Sequence, residues 1–283
     1  MRDATDEEAR KITENQEELE DATEEESVDA AASLSPRLIY EVIRRDGEHE
    51  LARPTSSLIW SGVAAGLLIS FSVVGEAVFR THLPDTQSRY LIENLGYSFG
   101  FLLVILGRMQ LFTENTITTV LPIMADPRPI MFARMIRLWA VVLAANVLGA
   151  FIAAAVMIFT PVIPQELLPA VAELSEHALS FAPLDAFSRG IPAGMLVAAI
   201  VWMHPQAKQA AFFMIMVFTW LIAAGDFTHI VAGSVEMAYM LLTGATGTMD
   251  ALFGFFVPVL FGNIIGGTAI FALLAYGQVK EEI

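Results

Sequence analysis

The chain has 283 residues, of which 55% are hydrophobic and only 17% are charged, and its formal net charge at pH 7 is −15. A soluble domain usually carries about 25% charged residues, so this composition argues against an ordinary soluble protein. The absence of cysteine excludes disulfides and thiol chemistry.

The acidic balance comes mostly from the N-terminal region. Residues 1–50 contain 17 acidic and 6 basic side chains, which account for −11 of the −15. We therefore expect residues 1–35 to form an acidic, disordered cytoplasmic tail. Residues 36–53 place several apolar side chains on one helical face, which predicts an amphipathic helix at the membrane surface. These apolar residues are Leu38, Ile39, Val42 and Ile43.

Long uncharged segments predict membrane-spanning helices between residues 54 and 280. Crossing a hydrocarbon core takes about 18 to 20 apolar residues, and four segments approach or exceed that length while two shorter ones need flanking residues. The six segments are Leu58–Gly75, Leu95–Gly107, Leu138–Gln165, Gly190–Met203, Gln209–Gly225 and Ala251–Val279. We predict an all-α transmembrane domain of six helices.

The basic residues predict which side of the membrane each connection faces. Arginines precede the first segment and follow the second, whereas the connection Pro161–Ser188 carries four acidic residues and no lysine or arginine. By the positive-inside rule, both termini are expected in the cytoplasm. The expected location of the protein is the inner or plasma membrane. Arg80 and Arg89, in the first outer connection, run against this rule.

Two sequence echoes indicate an internal repeat. "NVLGA", with Asn146 and Gly149, matches "NIIGG", with Asn263 and Gly266; "LFTEN" in the second segment echoes "DFTHI" in the fifth. If segments 1–3 and 4–6 are two copies of one unit, the odd number of spans gives the copies opposite topology. This predicts an inverted 3+3 repeat.

A glycine precedes each Phe-Thr pair, Gly107 in one half and Gly225 in the other. Backbone leaves helical geometry inside a membrane only where it is buried in protein or lines a cavity, so we predict that helices 2 and 5 are broken. The second part of each broken helix would direct its positive N-terminal end at a common point. Two such ends form a site for a small anion without a fixed cation.

These motifs resemble the formate/nitrite transporter family over residues 57–277. The resemblance is carried by "LFT", by "GDFTHIVAG", by "VWM" at Val201–Met203 and by the two Asn-Gly motifs. The longer stretch "LFTENTITTVLP" is more similar to the YfdC-like branch than to the formate channels. The resemblance implies a homopentamer of protomers with an aquaporin-like fold, each with its own pore for small monovalent anions, in some members with a proton.

The resemblance also implies which residues line the pore. His229 matches the family's central histidine and Thr113 its loop threonine. Tyr97 and Phe101 match constriction residues, although they could equally be helix-packing aromatics. Leu111 lies in the loop, and Ile222 falls where formate channels have phenylalanine. The full pore set is His229, Thr113, Tyr97, Phe101, Leu111, Phe112 and Ile222. The family pattern is altered at several polar positions, so formate is not assumed as the substrate. Thr228 replaces a glutamate, Gly233 and Gly194 replace asparagines, and the loop carries Arg108 and Glu114.

The two central residues each have two interpretations. His229 is either a switchable donor that binds the anion or passes it a proton, or a neutral histidine bonded to a backbone carbonyl. Thr113 either offers its hydroxyl to the same ligand or caps the second half-helix.

The charged residues beside the breaks also leave alternatives open. Asp226 is expected to cap its half-helix, and Glu114 to lie in a half-helix's first turn, where the dipole favours it. Arg108 and Glu114 are expected to form a buried pair, although Arg108 could instead attract anions to the pore.

The resulting function hypothesis is a channel or proton-coupled carrier for a small monovalent anion or its conjugate acid. A pore for neutral solutes and a non-transporting scaffold whose acidic tail binds a partner are the alternatives. No catalytic constellation, cofactor motif or metal-ligand spacing appears in the sequence, and no nucleic-acid partner is indicated. Membrane lipid and further copies of the chain are the expected partners.

Overall fold

A computed structural model describes residues 34–282, and every regular element in that range is helical. The predicted tail, residues 1–35, lies almost entirely outside the described residues. All the helices belong to one compact unit, Pro36–Ile283. The prediction of an all-helical membrane-type fold is confirmed.

Fourteen α-helices are defined within the described range. Those of the first half are α1 (Pro36–Ala52), α2 (Thr55–Leu68), α3 (Ser70–His82), α4 (Gln87–Glu93), α5 (Tyr97–Leu106), α6 (Phe112–Thr118), α7 (Val120–Ala125) and α8 (Pro129–Phe159). Those of the second half are α9 (Leu168–Leu179), α10 (Pro183–Met203), α11 (Ala211–Ala224), α12 (Ile230–Leu242), α13 (Val257–Ile264) and α14 (Leu273–Val279). Two π-helical stretches, Asp250–Phe256 and Ile265–Ala272, flank α13. Short 3₁₀ turns, Gln165–Leu167 and Lys208–Ala210, lead into α9 and α11.

Five continuous helical segments in the described part of the chain are long and apolar enough to cross a membrane. They are Thr55–His82, Gln87–Leu106, Pro129–Phe159, Pro183–Met203 and Asp250–Val279. The fifth of the six predicted segments is different, because the apolar sequence there forms two shorter helices, Lys208–Ala224 and Ile230–Leu242. Flanking residues lengthen the second predicted segment at its N-terminal end.

Helix α1 packs against the rest of the protein through part of its apolar face. Ile39 and Ile43 are buried, and the Tyr40 hydroxyl donates to the Leu121 carbonyl at 3.3 Å. Leu38 is exposed, so the face predicted to lie on the membrane surface is divided between the bundle and the surroundings.

The long helices cross in two similar pairs, α2 with α8 and α10 with α13 together with its π-helical continuation. Glycines allow the backbones to approach closely at both crossings. A Cβ on Gly149 of α8 would overlap the Val63 carbonyl of α2, and a Cβ on Gly266 would overlap the Ile191 carbonyl of α10. Small residues at such crossings are typical of helix packing in membranes.

Arg80 and Arg89, which ran against the charge rule, are both paired with acids. Arg80 Nη2 lies 2.6 Å from Glu93 Oε1, and Arg89 Nε lies 3.5 Å from Glu93 Oε2. The Glu93 side chain is only 3% exposed, so this cluster is largely withdrawn from water. Their positive charges are therefore compensated within the protein.

Candidate functional site

The loops 107–111 and 225–229 begin with the same backbone hydrogen bonds. In each loop, three successive N–H groups donate to the carbonyls four, three and five residues earlier, at 2.9–3.1 Å. The second residue of each loop has a positive φ, 52° at Arg108 and 53° at Asp226. A left-handed conformation is costly for a non-glycine residue, so its presence at both positions indicates a turn that the surrounding structure enforces.

Asn146 of α8 holds the first loop against α2. Its Oδ1 accepts from the Phe112 N–H at 2.9 Å, and its Nδ2 donates to the carbonyls of Gly62 and Gln110 at 2.9 and 2.8 Å. The amide is fully buried. It provides hydrogen-bond partners for backbone groups that lose their helical partners where the helix is interrupted.

Asn263 of α13 holds the second loop in the same way. Its Oδ1 accepts from the Ile230 N–H at 2.8 Å, and its Nδ2 donates to the carbonyls of Gly190 and Thr228, both at 2.9 Å. The two asparagines singled out in the sequence therefore make equivalent contacts. Each asparagine bonds to two backbone groups at the end of its loop and to one carbonyl of the helix packed beside that loop.

These contacts correct the alignment suggested by the Phe-Thr echo. Phe112 and Ile230 receive the equivalent asparagine contact, so Leu111 corresponds to His229. The echo instead paired Phe112 with Phe227, three residues away. The backbone groups bonded to the asparagines therefore show which residues of the two halves correspond, and the repeated Phe-Thr pair does not.

His229 is buried at the start of α12, with 2% of its surface exposed. Its Nδ1 accepts from the Ala232 N–H at 3.3 Å, so the ring caps this helix. Its Nε2 lies 2.9 Å from Thr113 Oγ1. Because Nδ1 is an acceptor, the neutral ring carries its proton on Nε2 and donates it to Thr113. The alternative of a histidine bonded to a backbone carbonyl is wrong.

Thr113 is fully buried and does not cap α6. The helix begins at Phe112, so Thr113 is its second residue and Leu111 occupies the cap position without a side-chain cap. The interpretation of Thr113 as an N-cap is therefore wrong, because the threonine lies two residues too late in the chain. Glu114 lies in the first turn of the same helix.

An aromatic ring packs against His229, and two aliphatic side chains belong to the same hydrophobic core as that ring. The Phe101 ring lies 4.9 Å from the His229 ring at 74° and 5.1 Å from the Tyr97 ring. Leu111 and Ile222 are fully buried. Phe112 differs, because its ring packs edge-on against Trp139 of α8 with centroids 5.7 Å apart.

Two cavities approach this contact. One, which His177 of α9 helps to line, has a volume of about 200 Å³ and is called the α9 cavity. The other, which Ile43 of α1 helps to line, has a volume of about 560 Å³ and is called the α1 cavity. The polar lining of the α9 cavity includes Glu76, Tyr97, His177, Asp226, His229 and Glu236. The polar lining of the α1 cavity includes Glu50, Arg108, Gln110, Glu114, His204 and Lys208, and Leu111 lines it as well. His229 lines the α9 cavity, and Leu111, two residues before Thr113, lines the α1 cavity.

Asp226 caps no helix in the described structure, which corrects that prediction. Its Oδ1 lies 2.9 Å from His177 Nε2, and its Oδ2 lies 3.8 Å from Arg189 Nη1. The positive φ at Asp226 turns this side chain toward α9 and α10, away from the free N–H groups of α12. The hydrogen bond to Asp226 raises the pKa of His177. His177 was not predicted as a site residue, because it stands alone in an acidic connection.

Arg108 and Glu114 do not form the expected buried pair, since no hydrogen bond or ion pair joins these two described residues. Arg108 is exposed, and both side chains line the α1 cavity. The Arg108 side chain stays exposed, where water compensates its charge without the desolvation cost of a buried pair. Gln110 instead contacts an acid, with its Nε2 2.8 Å from Glu50 Oε2.

The departures from the family pattern occur at close contacts. A Cβ on Gly194 would overlap the backbone of Asn263, and a Cβ on Gly233 would overlap the Phe255 ring. An asparagine at either position would need a different backbone or ring position. The Thr228 hydroxyl donates to the Ala186 carbonyl at 2.6 Å, so it is engaged in packing against α10.

Comparison with known proteins gives consistent matches. The sequence model described as "Formate/nitrite transporter" matches residues 37–277. The chain is 43% identical over 245 residues to the inner membrane protein YfdC of Escherichia coli (strain K12), covering 87% of this chain and 79% of that protein. It is 28% identical to the formate channel FocA of Haemophilus influenzae, covering 76% and 84%.

Two solved structures share the fold. A pentameric formate channel with formate bound gives a TM-score of 0.68 at 21% identity, covering 81% of this chain and 98% of that one. An FNT family ion channel gives a TM-score of 0.72 at 16% identity, covering 85% and 98%. Both cover nearly the whole of the known chain.

Proposed function

Because the chain belongs to the formate/nitrite transporter family, we propose that it conducts small monovalent anions or their conjugate acids across the membrane. The pore runs from the α1 cavity to the α9 cavity through the His229–Thr113 contact. The observation that carries this proposal is the buried hydrogen bond from His229 to Thr113 at the starts of α12 and α6, with His229 lining the α9 cavity and Leu111 lining the α1 cavity.

We propose a six-span aquaporin-like protomer, an inverted 3+3 repeat in which helices 2 and 5 are broken. Span 2 comprises α5 and α6, and span 5 comprises α11 and α12. The matched loop hydrogen bonds and the equivalent contacts of Asn146 and Asn263 support this repeat. With three spans in each half, the two copies run in opposite directions through the bilayer.

The proposed assembly is a homopentamer with both termini in the cytoplasm, in the inner or plasma membrane. Large apolar side chains such as Trp60, Phe159 and Phe213 are more than 60% exposed and would face lipid or a neighbouring protomer. The solved formate channel of the same fold is pentameric. In this orientation the α1 cavity opens to the cytoplasm.

The chemistry of the centre suits an anion that meets hydrogen-bond donors inside an apolar wall. The starts of α6 and α12 supply partial positive charge, and the His229 Nε2–H is released for a ligand when Thr113 moves aside. Phe101, Leu111 and Ile222 disfavour a bare anion because its burial is costly, so passage as the conjugate acid is favoured.

The test is flux into proteoliposomes that contain the purified protein. Formate, nitrite, acetate and hydrosulfide are supplied at several pH values, and we expect pH-dependent uptake of at least one of them. His229→Phe should abolish that uptake or change it greatly, because it removes the central donor. The matched control is His49→Phe on the exposed side of α1. If no anion of the panel enters vesicles that contain the correctly assembled protein, the proposal is wrong.

A pore for neutral solutes is the second candidate, favoured by the acidic side chains Glu114 and Glu236 that line the two cavities. Carboxylates along a pore oppose anions and leave neutral molecules unaffected. The same vesicles distinguish the two candidates. The neutral pore would be established by uptake of water or a small polyol at a rate independent of the membrane potential, together with no uptake of anions.

A further inference from the structure

Glu76 of α3 is a buried carboxyl without a partner. It is 5% exposed and lines the α9 cavity, and within residues 34–282 no hydrogen bond or ion pair engages its side chain. Glu93 is similarly buried but has Arg80 at 2.6 Å and Arg89 at 3.5 Å. Burial of Glu76 is therefore not compensated in the way that burial of Glu93 is.

Glu236 of α12 lines the same cavity and also has no hydrogen-bond or ion-pair partner for its carboxyl in the described structure. The charged groups that act on Glu76 are, besides Glu236, the side chains of Arg80, Glu93 and Asp226. Arg80 is bonded to Glu93, and Asp226 is bonded to His177. The remaining ionisable groups of the cavity wall, Tyr90, Tyr97 and His229, carry no positive charge in their neutral forms.

Two unpaired carboxylates in one small, partly apolar cavity are energetically costly, because each lacks a counter-ion and each repels the other. Ionisable residues inside membrane spans that retain such a cost are functional sites by default. The arrangement fits a cation that one or both carboxyls hold. Among the described residues, no group of three or more His, Asp or Glu side chains has metal-binding geometry, so the smallest cation, the proton, fits best.

The state of His229 supports the same assignment. Its Nδ1 is occupied by the Ala232 N–H and its Nε2 by Thr113. Taking up a second proton on Nδ1 would require breaking the cap of α12. The carboxyls of Glu76 and Glu236 have no such bonds to break.

We propose that Glu76 and Glu236 form a proton-binding site in the α9 cavity, which supplies the proton that accompanies an anion through the pore. This rests on the proposed function. In the transfer step, the O–H bond of a protonated glutamate breaks and the proton bonds to the anion, at oxygen for a carboxylate or nitrite and at sulfur for hydrosulfide, so that the neutral acid proceeds. The carboxylate left behind is reprotonated by a hydronium ion that reaches the cavity from the aqueous phase and leaves as water.

The first test measures protonation without transport. Infrared difference spectra of the full-length protein in lipid nanodiscs, recorded between acid and alkaline pH, report the C=O stretch of protonated carboxyls. We expect a pH-dependent band that is reduced in Glu76→Gln and in Glu236→Gln and retained in Glu176→Gln, an exposed glutamate of α9. A band identical in wild type and in both cavity variants would overturn the site, as would a band that responds to Na⁺ or K⁺ and not to pH.

The second test measures coupling in proteoliposomes. A proton gradient should accelerate anion uptake by the wild type, and Glu76→Gln with Glu236→Gln should remove most of that acceleration while uptake without a gradient persists. Acceleration equal to wild type in the double variant contradicts the proposal. The infrared band without any anion uptake in the wild type would instead refute the proposed function and leave the proton site standing.

Discussion

At the scale of single residues, the centre of the molecule depends on the hydrogen bonds of one histidine. His229 caps α12 through Nδ1 and reaches Thr113 through Nε2. The cap fixes the tautomer, and the tautomer makes Nε2 a donor. This ring can therefore offer a hydrogen bond to an anion without first gaining a charge.

Substitution of Thr113 tests whether its hydroxyl takes part in conduction. Thr113→Val keeps the shape and removes the hydroxyl, which leaves the buried Nε2–H without its partner. Losing one hydrogen bond of about 1.4 kcal/mol in the rate-limiting passage corresponds to about a tenfold change in rate. We expect anion uptake to fall by about that factor, with Thr113→Ser close to wild type. Equal uptake in the Val and Ser variants would assign Thr113 to packing alone.

The bond between His177 and Asp226 predicts a pH dependence of stability. Because this bond raises the pKa of His177 above its unfolded value of about 6.5, it stabilises the fold fully below that value. The stabilisation is lost as the pH rises through the higher folded pKa. We expect the thermal midpoint to drop, as the pH rises above about 6.5, by more in wild type than in His177→Gln. Equal drops would show that the pair contributes nothing to folding.

At the scale of helices and loops, each interruption is stabilised by an asparagine from a neighbouring helix. Asn146 and Asn263 each make three buried hydrogen bonds to backbone atoms. Backbone groups freed by a helix interruption have no water to bind in a membrane, so these amides replace it. The two loops share the same geometry, including the positive φ at Arg108 and Asp226.

Replacing either asparagine by leucine should destabilise the protein to a similar extent. Each change leaves one backbone N–H and two carbonyls unsatisfied, which costs about 2–4 kcal/mol when the values for single membrane hydrogen bonds are summed. Thermal unfolding in detergent, followed by tryptophan fluorescence, measures the effect. The comparison variant is Asn94→Leu, which leaves the hydrogen bonds of Asn146 and Asn263 in place. If Asn146→Leu and Asn263→Leu differ widely, the two loops are not equivalent supports.

At the scale of the whole molecule, the exposed surface of the bundle is rich in large apolar side chains. Trp60, Leu184 and Leu274 are each more than 65% exposed. A monomeric soluble protein does not present so many, whereas a membrane protein covers them with lipid or with further copies of itself.

The proposed pentamer predicts a native mass of about five times the 30.9 kDa chain. Native mass spectrometry of the protein released from mild detergent measures this directly. Retention of the same mass in His229→Phe would show that the loss of uptake in that variant does not result from an assembly defect. A monomer that still conducts would overturn the proposed assembly and leave the pore within each chain intact.

Much of this organisation is readable from residue order alone. Uncharged length marks the membrane segments, because only apolar side chains are stable in lipid, and the paired Asn-Gly motifs and pre-loop glycines mark equivalent places in the two halves. The resemblance to the formate/nitrite transporter family, confirmed by the family match, rests on these same local patterns. They depend on neighbours in sequence, so one sequence suffices to find them.

Only the tertiary structure decided which groups bond to one another. Asp226 turns to His177 and His229 takes over the cap. Among the described residues no ion pair joins Arg108 to Glu114, and Leu111, not Glu114, corresponds in register to His229. Glu76 and Glu236, 160 positions apart by their numbers, share one cavity. Such contacts depend on how distant helices pack, and packing is determined by backbone geometry and close approach that residue order does not specify.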